Sequence, residues 1–272
     1  MTARTALVTG ASAGIGEAYA TLLAEQGWDL ILTARREPHL EIVAARLRER
    51  HNVKCLVVAA DLADPTGPQT IIEAIGAQPV DALINNAGYG LSTTFRRTEW
   101  SEIESFLQVM VRAVTHLPHL LLPGMVDRGY GRIVNVASLA AFAPEPVGSL
   151  YGAVKRYMVS MSKGLRKDVL GTGVHVTATC PGFTYTEFHD VLGNRSKMNR
   201  LPKVLWQDSR SVVETSWKKV ETNVPVHVTG WPNQAIRALC QVVPEAMLGL
   251  ITPKSISERG VQVRAQDPPK PL

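Results

Sequence analysis

The sequence predicts an α/β fold: one parallel, doubly wound sheet with helices on both faces. Three observations carry that prediction. Short apolar runs alternate with longer helical stretches from Thr5 to about Gly182, the pattern of parallel strands joined by crossover helices. The first run ends in a glycine-rich turn that opens a helix. The chain has 272 residues, 45% of them hydrophobic, enough for one large domain, and no repeat or linker divides it.

Thr5-Ala6-Leu7-Val8-Thr9 is short, apolar and β-branched, and reads as a buried strand. A helix from about Ile15 to Gln26 follows, with Ala18, Leu22 and Leu23 on one face. Between them lies Gly10-Ala11-Ser12-Ala13-Gly14-Ile15-Gly16. Glycines there permit positive φ and close approach of a phosphate, and the helix start aims its free N–H groups at that phosphate. The spacing Gly-x3-Gly-x-Gly departs from the commoner Gly-x-Gly-x-x-Gly pattern, and alone it fits an ordinary strand-to-helix loop as well.

The second run, Asp29 to Ala34, is followed by Arg35-Arg36. An acidic residue at this strand end would bond the ribose 2′-hydroxyl of NAD, whereas arginine suits the 2′-phosphate of NADP. The pair therefore favours NADP over a solvated helix start. The third run, Cys55 to Ala59, leads to Asp61-Leu62, where Asp61 caps the next helix or bonds the adenine. The fourth, Ala82-Leu83-Ile84, leads to Asn85-Asn86-Ala87-Gly88. Both sites fall at strand C-termini, where an open α/β sheet binds its ligand.

Gly131 to Ala137 reads as a fifth strand with Ser138 at its end, and Ser149 to about Asp168 as a long helix. On that helix Tyr151 and Lys155 are one turn apart and share a face. A free phenol titrates near pH 10, and a neighbouring cation favours the phenolate. Ser138 can hold a substrate oxygen while Tyr151 gives or takes its proton.

These marks together resemble the short-chain dehydrogenase/reductase family from about Thr5 to Glu187, and on to about Leu250. The resemblance rests on Thr9-Gly10-x3-Gly14-x-Gly16, Asn85-Asn86-Ala87-Gly88, Ser138, Tyr151-x3-Lys155, and Pro181-Gly182 with Thr186. It implies one Rossmann-type domain with sheet order 3-2-1-4-5-6-7 and Tyr151 as proton donor or acceptor. It implies that Lys155 lowers the pKa of Tyr151 and binds the nicotinamide ribose, and that Ser138 is a substrate-oxygen ligand. Pro181, Gly182, Thr184 and Thr186 would flank the nicotinamide. The family also implies a homodimer or homotetramer built on the long helix, whose stripe Tyr157, Met158, Met161 and Leu165 reads equally as core. One departure stands out. In Val109-Met110-Val111-Arg112-Ala113, Met110 takes the place of the family's asparagine, which helps hold a proton-relaying water. Reduced or altered turnover is the expected consequence.

The expected substrate is a hydrophobic ketone or its alcohol. Residues 188–223 are expected to form a lid lined by Phe188, Leu192, Met198, Leu201, Leu205 and Trp206, or to pack those side chains onto the body. Ser92, Phe95, Phe142, Pro144 and Glu145 border the same region. Two other readings stay open. One is a 3-oxo acyl lipid reductase, with Lys197, Arg200 and Lys203 facing an acidic carrier. The other is a cofactor-binding regulatory protein with weak catalysis because of Met110.

Val226 to Gly230 reads as a seventh, edge strand, and Trp231 to about Leu250 as an interrupted helix. The apolar run Pro244 to Ile251 closes the pocket or meets a partner or membrane surface. The domain is expected to span 1–264, with a disordered tail over 265–272. The net charge is +5, but basic residues are scattered, which argues against nucleic acid. The longest apolar stretch falls short of a membrane span, and the early first strand leaves no room for a signal peptide. Asn194-Arg195-Ser196 is therefore not expected to carry a glycan. Cys55, Cys180 and Cys240 read as reduced thiols of a cytoplasmic protein. His116 and His119 share a helix face without a carboxylate partner, and no metal site is expected.

Overall fold

A computed structural model describes residues 3–91, 93–144, 148–186 and 202–243. Six strands alternate with helices in chain order: β1 (Thr5–Thr9), β2 (Asp29–Ala34), β3 (Cys55–Ala59), β4 (Ala82–Asn85), β5 (Gly131–Val136) and β6 (Val174–Cys180). A short pair follows, β7 (Phe183–Thr184) and β8 (Trp206–Gln207), and then β9 (Val226–Val228). The main sheet is parallel throughout, in the order β3-β2-β1-β4-β5-β6-β9. This is the predicted Rossmann-type order with β9 in the seventh place, because the β7–β8 ribbon intervenes in sequence and forms its own small sheet.

The helices are α1 (Gly14–Glu25), α2 (Glu37–His51), α3 (Gly67–Ile75), α4 (Trp100–Leu107), α5 (Val114–Asp127), α6 (Tyr151–Asp168), α7 (Ser209–Glu221) and α8 (Trp231–Val242). β1, β4 and β5 are buried along their whole length, as expected for strands covered on both faces. The core accordingly forms two layers. Leu7, Ile31, Leu83, Phe106, Met110 and Leu117 belong to one, and Ala6, Val8, Tyr19, Leu23, Leu32 and Trp217 to the other.

Boundaries moved by one or two residues for local reasons. The helix expected from Ser149 begins at Tyr151, because the Ser149 hydroxyl instead accepts the Tyr151 backbone N–H at 3.2 Å. The helix expected from Trp231 is described to Val242, and the apolar run from Pro244 and the 265–272 tail lie outside the described residues. The expectation that no stretch reaches membrane length needs correcting. Trp100–Asp127 is helical throughout and is long and apolar enough by length and composition to cross a membrane. In this fold Ile103, Phe106, Met110, Ala113 and Leu117 on that stretch are buried in the core.

The same stretch holds a feature invisible in the sequence. Between α4 and α5, Gln108–Ala113 winds as a π-helix. A wider turn disturbs the regular hydrogen-bond ladder, and side chains bond two of the nearby carbonyls. Thr115 Oγ1 donates to the Val111 carbonyl at 2.7 Å, and Asn85 Nδ2 donates to the Val114 carbonyl at 3.1 Å.

Candidate active site

The glycine turn between β1 and α1 is built as its sequence demands. Gly10 and Gly14 adopt φ of +65° and +59°, where a side chain would be strained. A β-carbon on Gly16 would run into the Gly10 carbonyl oxygen. The turn is tied to the end of β4. Thr9 Oγ1 donates to the Ile84 carbonyl (3.2 Å) and accepts the backbone N–H groups of Asn86 and Ala87 (both 2.9 Å). Asn86 Nδ2 donates to the carbonyls of Thr9 and Gly10 at 3.0 and 3.3 Å. No side chain caps the start of α1. A narrow glycine cradle beneath open helix N–H groups fits a pyrophosphate.

Of the predicted dinucleotide residues, Arg36, Asn86 and Thr186 meet that cradle directly. Arg36 Nη2 donates to Ser12 Oγ at 3.4 Å, which places one guanidinium on the rim of the turn. Arg35 is exposed beside it, and its charge acts on the Tyr89 hydroxyl, whose pKa burial raises. Asp61 Oδ1 accepts the Ala63 N–H at 2.9 Å in a local turn; the expected capping of the next helix is not found, because α3 starts at Gly67 behind Thr66 with no side-chain cap bond. Leu62 is buried in the core, which leaves only its backbone for a ligand. On the far side, Thr186 lies against the turn: a β-carbon at Gly14 would stand 3.0 Å from Thr186 Cγ2. The Pro181 carbonyl accepts the Leu139 N–H at 2.8 Å, and Thr184 Oγ1 donates to the Gly182 carbonyl at 3.2 Å. The first bond joins the exits of β5 and β6, and the second is local to the segment after β6.

Ser138, Tyr151 and Lys155 meet where β5 ends and α6 begins. Ser138 leaves β5 in extended geometry and its Oγ accepts the Ala140 N–H at 3.1 Å. The same side chain is hydrogen-bonded to the Tyr151 hydroxyl. Lys155 Nζ donates to the Val136 carbonyl at 2.8 Å and lies 5.5 Å from the centre of the Tyr151 ring. The expected lowering of the Tyr151 pKa is reversed. Burial pushes Tyr151 up to about 12, against the hydrogen bond with Ser138. Burial also pulls Lys155 down to about 7, against the influence of Cys180. The i,i+4 spacing sets which face the two residues share but says nothing of how dry that face is.

Behind this cluster runs a buried polar chain that sequence reasoning missed. Asn85 Nδ2 donates to Asn135 Oδ1 (2.9 Å), Asn135 Nδ2 to Ser162 Oγ (2.9 Å), and Ser162 Oγ to the Met158 carbonyl (2.6 Å). It pins β4, β5 and α6 together beneath the site. The one available signal was asparagine inside two otherwise apolar strands. Met110, on the π-helix, is fully buried, and a β-carbon on Gly88 would stand 2.8 Å from its sulfur. Methionine here fills the space under the Asn86-Ala87-Gly88 turn.

The substrate side is only partly described. Ser92, Glu145, Phe188, Leu192, Met198, Leu201, Lys197 and Arg200 lie outside the described residues, as does Asn194. Trp206 is buried, stacked on Tyr185 (4.7 Å, 20°) and tilted against Phe183 (5.6 Å), so it packs the β7–β8 ribbon together. Phe142 and Pro144 are half-buried past Ser138, whereas Phe95 is 55% exposed. On the long helix the expected stripe divides: Met158 is core, and Tyr157 is exposed and bonded to Thr115 Oγ1 at 2.6 Å. Cys55 and Cys180 are buried thiols and Cys240 is half-buried.

Comparison with known proteins bears on the family and the fold. The family described as short chain dehydrogenase matches residues 4–196. A sulfoacetaldehyde reductase of Chromohalobacter salexigens is 38% identical over 185 residues, covering 66% of this chain and 72% of that protein. Among solved structures, a short-chain dehydrogenase from Sphingobium yanoikuyae in complex with NADPH is similar with a TM-score of 0.79 and 31% identity, over 97% of this chain and 99% of that one. The bulky-bulky ketone specific alcohol dehydrogenase from Comamonas testosteroni gives 0.75 and 28%, over 90% and 97%.

Proposed function

The chain belongs to the short-chain dehydrogenase/reductase family, oxidoreductases of CH–OH and C=O groups, and from that premise we propose that it is an NADPH-dependent reductase of a hydrophobic ketone. The observation that carries the reading is the convergence of Ser138, Tyr151 and Lys155 beside the Gly10–Gly16 cradle. The cradle and the start of α1 would hold the pyrophosphate, and Arg36 with Ser12, joined by Arg35, the 2′-phosphate. Asn86 to Gly88 and Pro181 to Thr186 would flank the nicotinamide, which when bound supplies or accepts the hydride.

The chain's own groups handle the proton. Burial keeps the Tyr151 phenol protonated, the form that can donate to a carbonyl oxygen, but makes it a weaker acid, so donation depends on charge that stabilises the phenolate as it forms. Ser138, already bonded to that hydroxyl, is placed to hold the same oxygen. Lys155 is anchored by Val136 beside the ring, and in its protonated form it offsets the negative charge that develops on Tyr151 during transfer; with burial pulling it down to about 7, that help fades as pH rises above 7. The buried chain from Asn85 to Ser162 keeps this geometry fixed.

Substrate size is supported by the likeness to an enzyme named for bulky ketones and by the apolar ribbon around Trp206. We place the homo-oligomer contact on the groove between α5 and α6, where Tyr157, Met161, Leu165, Leu122 and Val126 present an apolar surface. The first experiment is a fluorescence titration with NADPH and NADH, followed by NADPH oxidation with a panel of bulky ketones. Tight NADPH binding with ketone turnover is expected. Failure of both nucleotides to bind would overturn the reading.

A further inference from the structure

Arg237 sits on α8, and its side chain reaches Phe142, four residues past Ser138. Four residues earlier on the same helix face, Asn233 packs against Gly182: a β-carbon on Gly182 would collide with its amide. Arg237 then reaches the loop that leaves Ser138, with its guanidinium carbon 4.7 Å from the centre of the Phe142 ring. Its charge also acts on Cys180, the last residue of β6, so the guanidinium lies near the exits of both β5 and β6. Those are the strand ends that carry Ser138 and the Pro181–Thr186 segment.

Beyond the Phe142 ring, the guanidinium has no acceptor or carboxylate partner among the described residues. Arg237 is partly buried, its Nε is fully buried, and among the described residues it makes no hydrogen bond and no ion pair. The other site arginines differ. Arg36 bonds Ser12, and Arg156 donates to the carbonyls of Ala141 and Ala143 at 3.1 and 2.6 Å. A half-buried cation with an unsatisfied donor costs stability unless a ligand completes it. A planar fork of N–H donors suits the paired oxygens of a carboxylate or sulfonate.

We propose that Arg237 is a substrate-recognition residue, and that the carbonyl substrate carries an anionic group that the Arg237 guanidinium holds beside Phe142. The proposal rests on the carbonyl-reductase reading above and adds a charged end to the substrate. It makes the pocket two-sided: the reacting oxygen goes to Ser138 and Tyr151, and the anion to α8.

The test compares 6-oxoheptanoate with 2-heptanone as substrates, and heptanoate as an unreactive ligand, using the full chain with NADPH. The wild-type protein is expected to favour the oxo acid in kcat/KM by about tenfold or more, as a charged hydrogen bond allows. Arg237→Gln should remove that preference through KM, with kcat and the 2-heptanone rate little changed, and Arg237→Lys should restore part of it. Calorimetry should show heptanoate binding to wild type and not to Arg237→Gln. Equal use of both ketones by wild type, or equal loss of both in Arg237→Gln, would overturn the proposal and leave Arg237 as a prop for Phe142. Heptanoate binding that depends on Arg237 without turnover of either ketone would uphold the anion site and overturn the ketone reading alone.

Discussion

The two sides of the cleft are held by different chemistry. On the dinucleotide side, Thr9, Asn86, Asn85, Asn135 and Ser162 tie turns and strands together with short bonds to backbone and to each other. Little there can move without leaving a buried polar group unsatisfied. On the substrate side, β7 and β8 are two residues each; besides their short ladder and the bonds of the Gln207 amide to Thr229 and Asn233, they are held by the stacking of Tyr185, Trp206 and Phe183, and Arg237 rests on Phe142 with its Nε unpaired among the described residues. Non-directional packing tolerates changes of shape that a hydrogen-bond network does not. The difference separates a rigid half that positions chemistry from an adaptable half that chooses the substrate.

Where the halves meet, Tyr151 should give the largest effect. Tyr151→Phe is expected to lower kcat by about 10²–10⁴-fold, the worth of a positioned acid. NADPH affinity should be unchanged, since the cradle is built elsewhere. Retained turnover in steady-state assays would remove Tyr151 from its role and make Ser138 the nearest remaining donor.

The rigid half can be broken from inside. Asn135→Ala strips the acceptor from Asn85 Nδ2 and the donor from Ser162 Oγ, both in a fully buried setting. A loss of about 2–3 kcal/mol is expected in urea denaturation, with catalysis and cofactor binding failing together. The adaptable half should respond differently. Trp206→Ala should raise the KM for ketone by about tenfold, or about 1.4 kcal/mol, and leave the NADPH Kd alone. If Trp206→Ala instead weakens NADPH as much as ketone, the two halves are one unit and the contrast fails.

The 2′-phosphate reading is a smaller, sharper test. Arg36 is exposed and its bond to Ser12 is long, so solvent screens its charge. Arg36→Ala should weaken NADPH a few-fold, about 1 kcal/mol, and NADH hardly at all. Equal weakening in a fluorescence titration would mean that Arg36 only stiffens the turn.

The rigid half was also the more legible in sequence. Gly10 and Gly14 occupy positive φ that other residues avoid, and the apolar runs that became β1, β2, β4 and β5 read as buried strands. Tyr151 and Lys155 were readable because helical spacing fixes a shared face. Burial was not readable from spacing, and burial set the direction of both pKa shifts. The π-helix was hidden because Gln108–Ala113 has the composition of ordinary helix. Arg237 was hidden because its neighbours, Phe142 and Gly182 with Asn233, come from distant parts of the chain.

Met110 tests whether the family's missing asparagine is a defect or a replacement. The methionine is fully buried, fills the space beneath Gly88, and lies on a π-helix whose wider turn alters the carbonyl pattern on its own. Met110→Asn places an amide in that apolar space and should cost about 1–3 kcal/mol of stability in thermal or urea unfolding. Turnover should change little, because a backbone carbonyl of the π turn can hold a water whichever side chain stands there. A large rise in kcat would show instead that the side-chain amide was the missing part of the proton path, and that the methionine slows the site it packs.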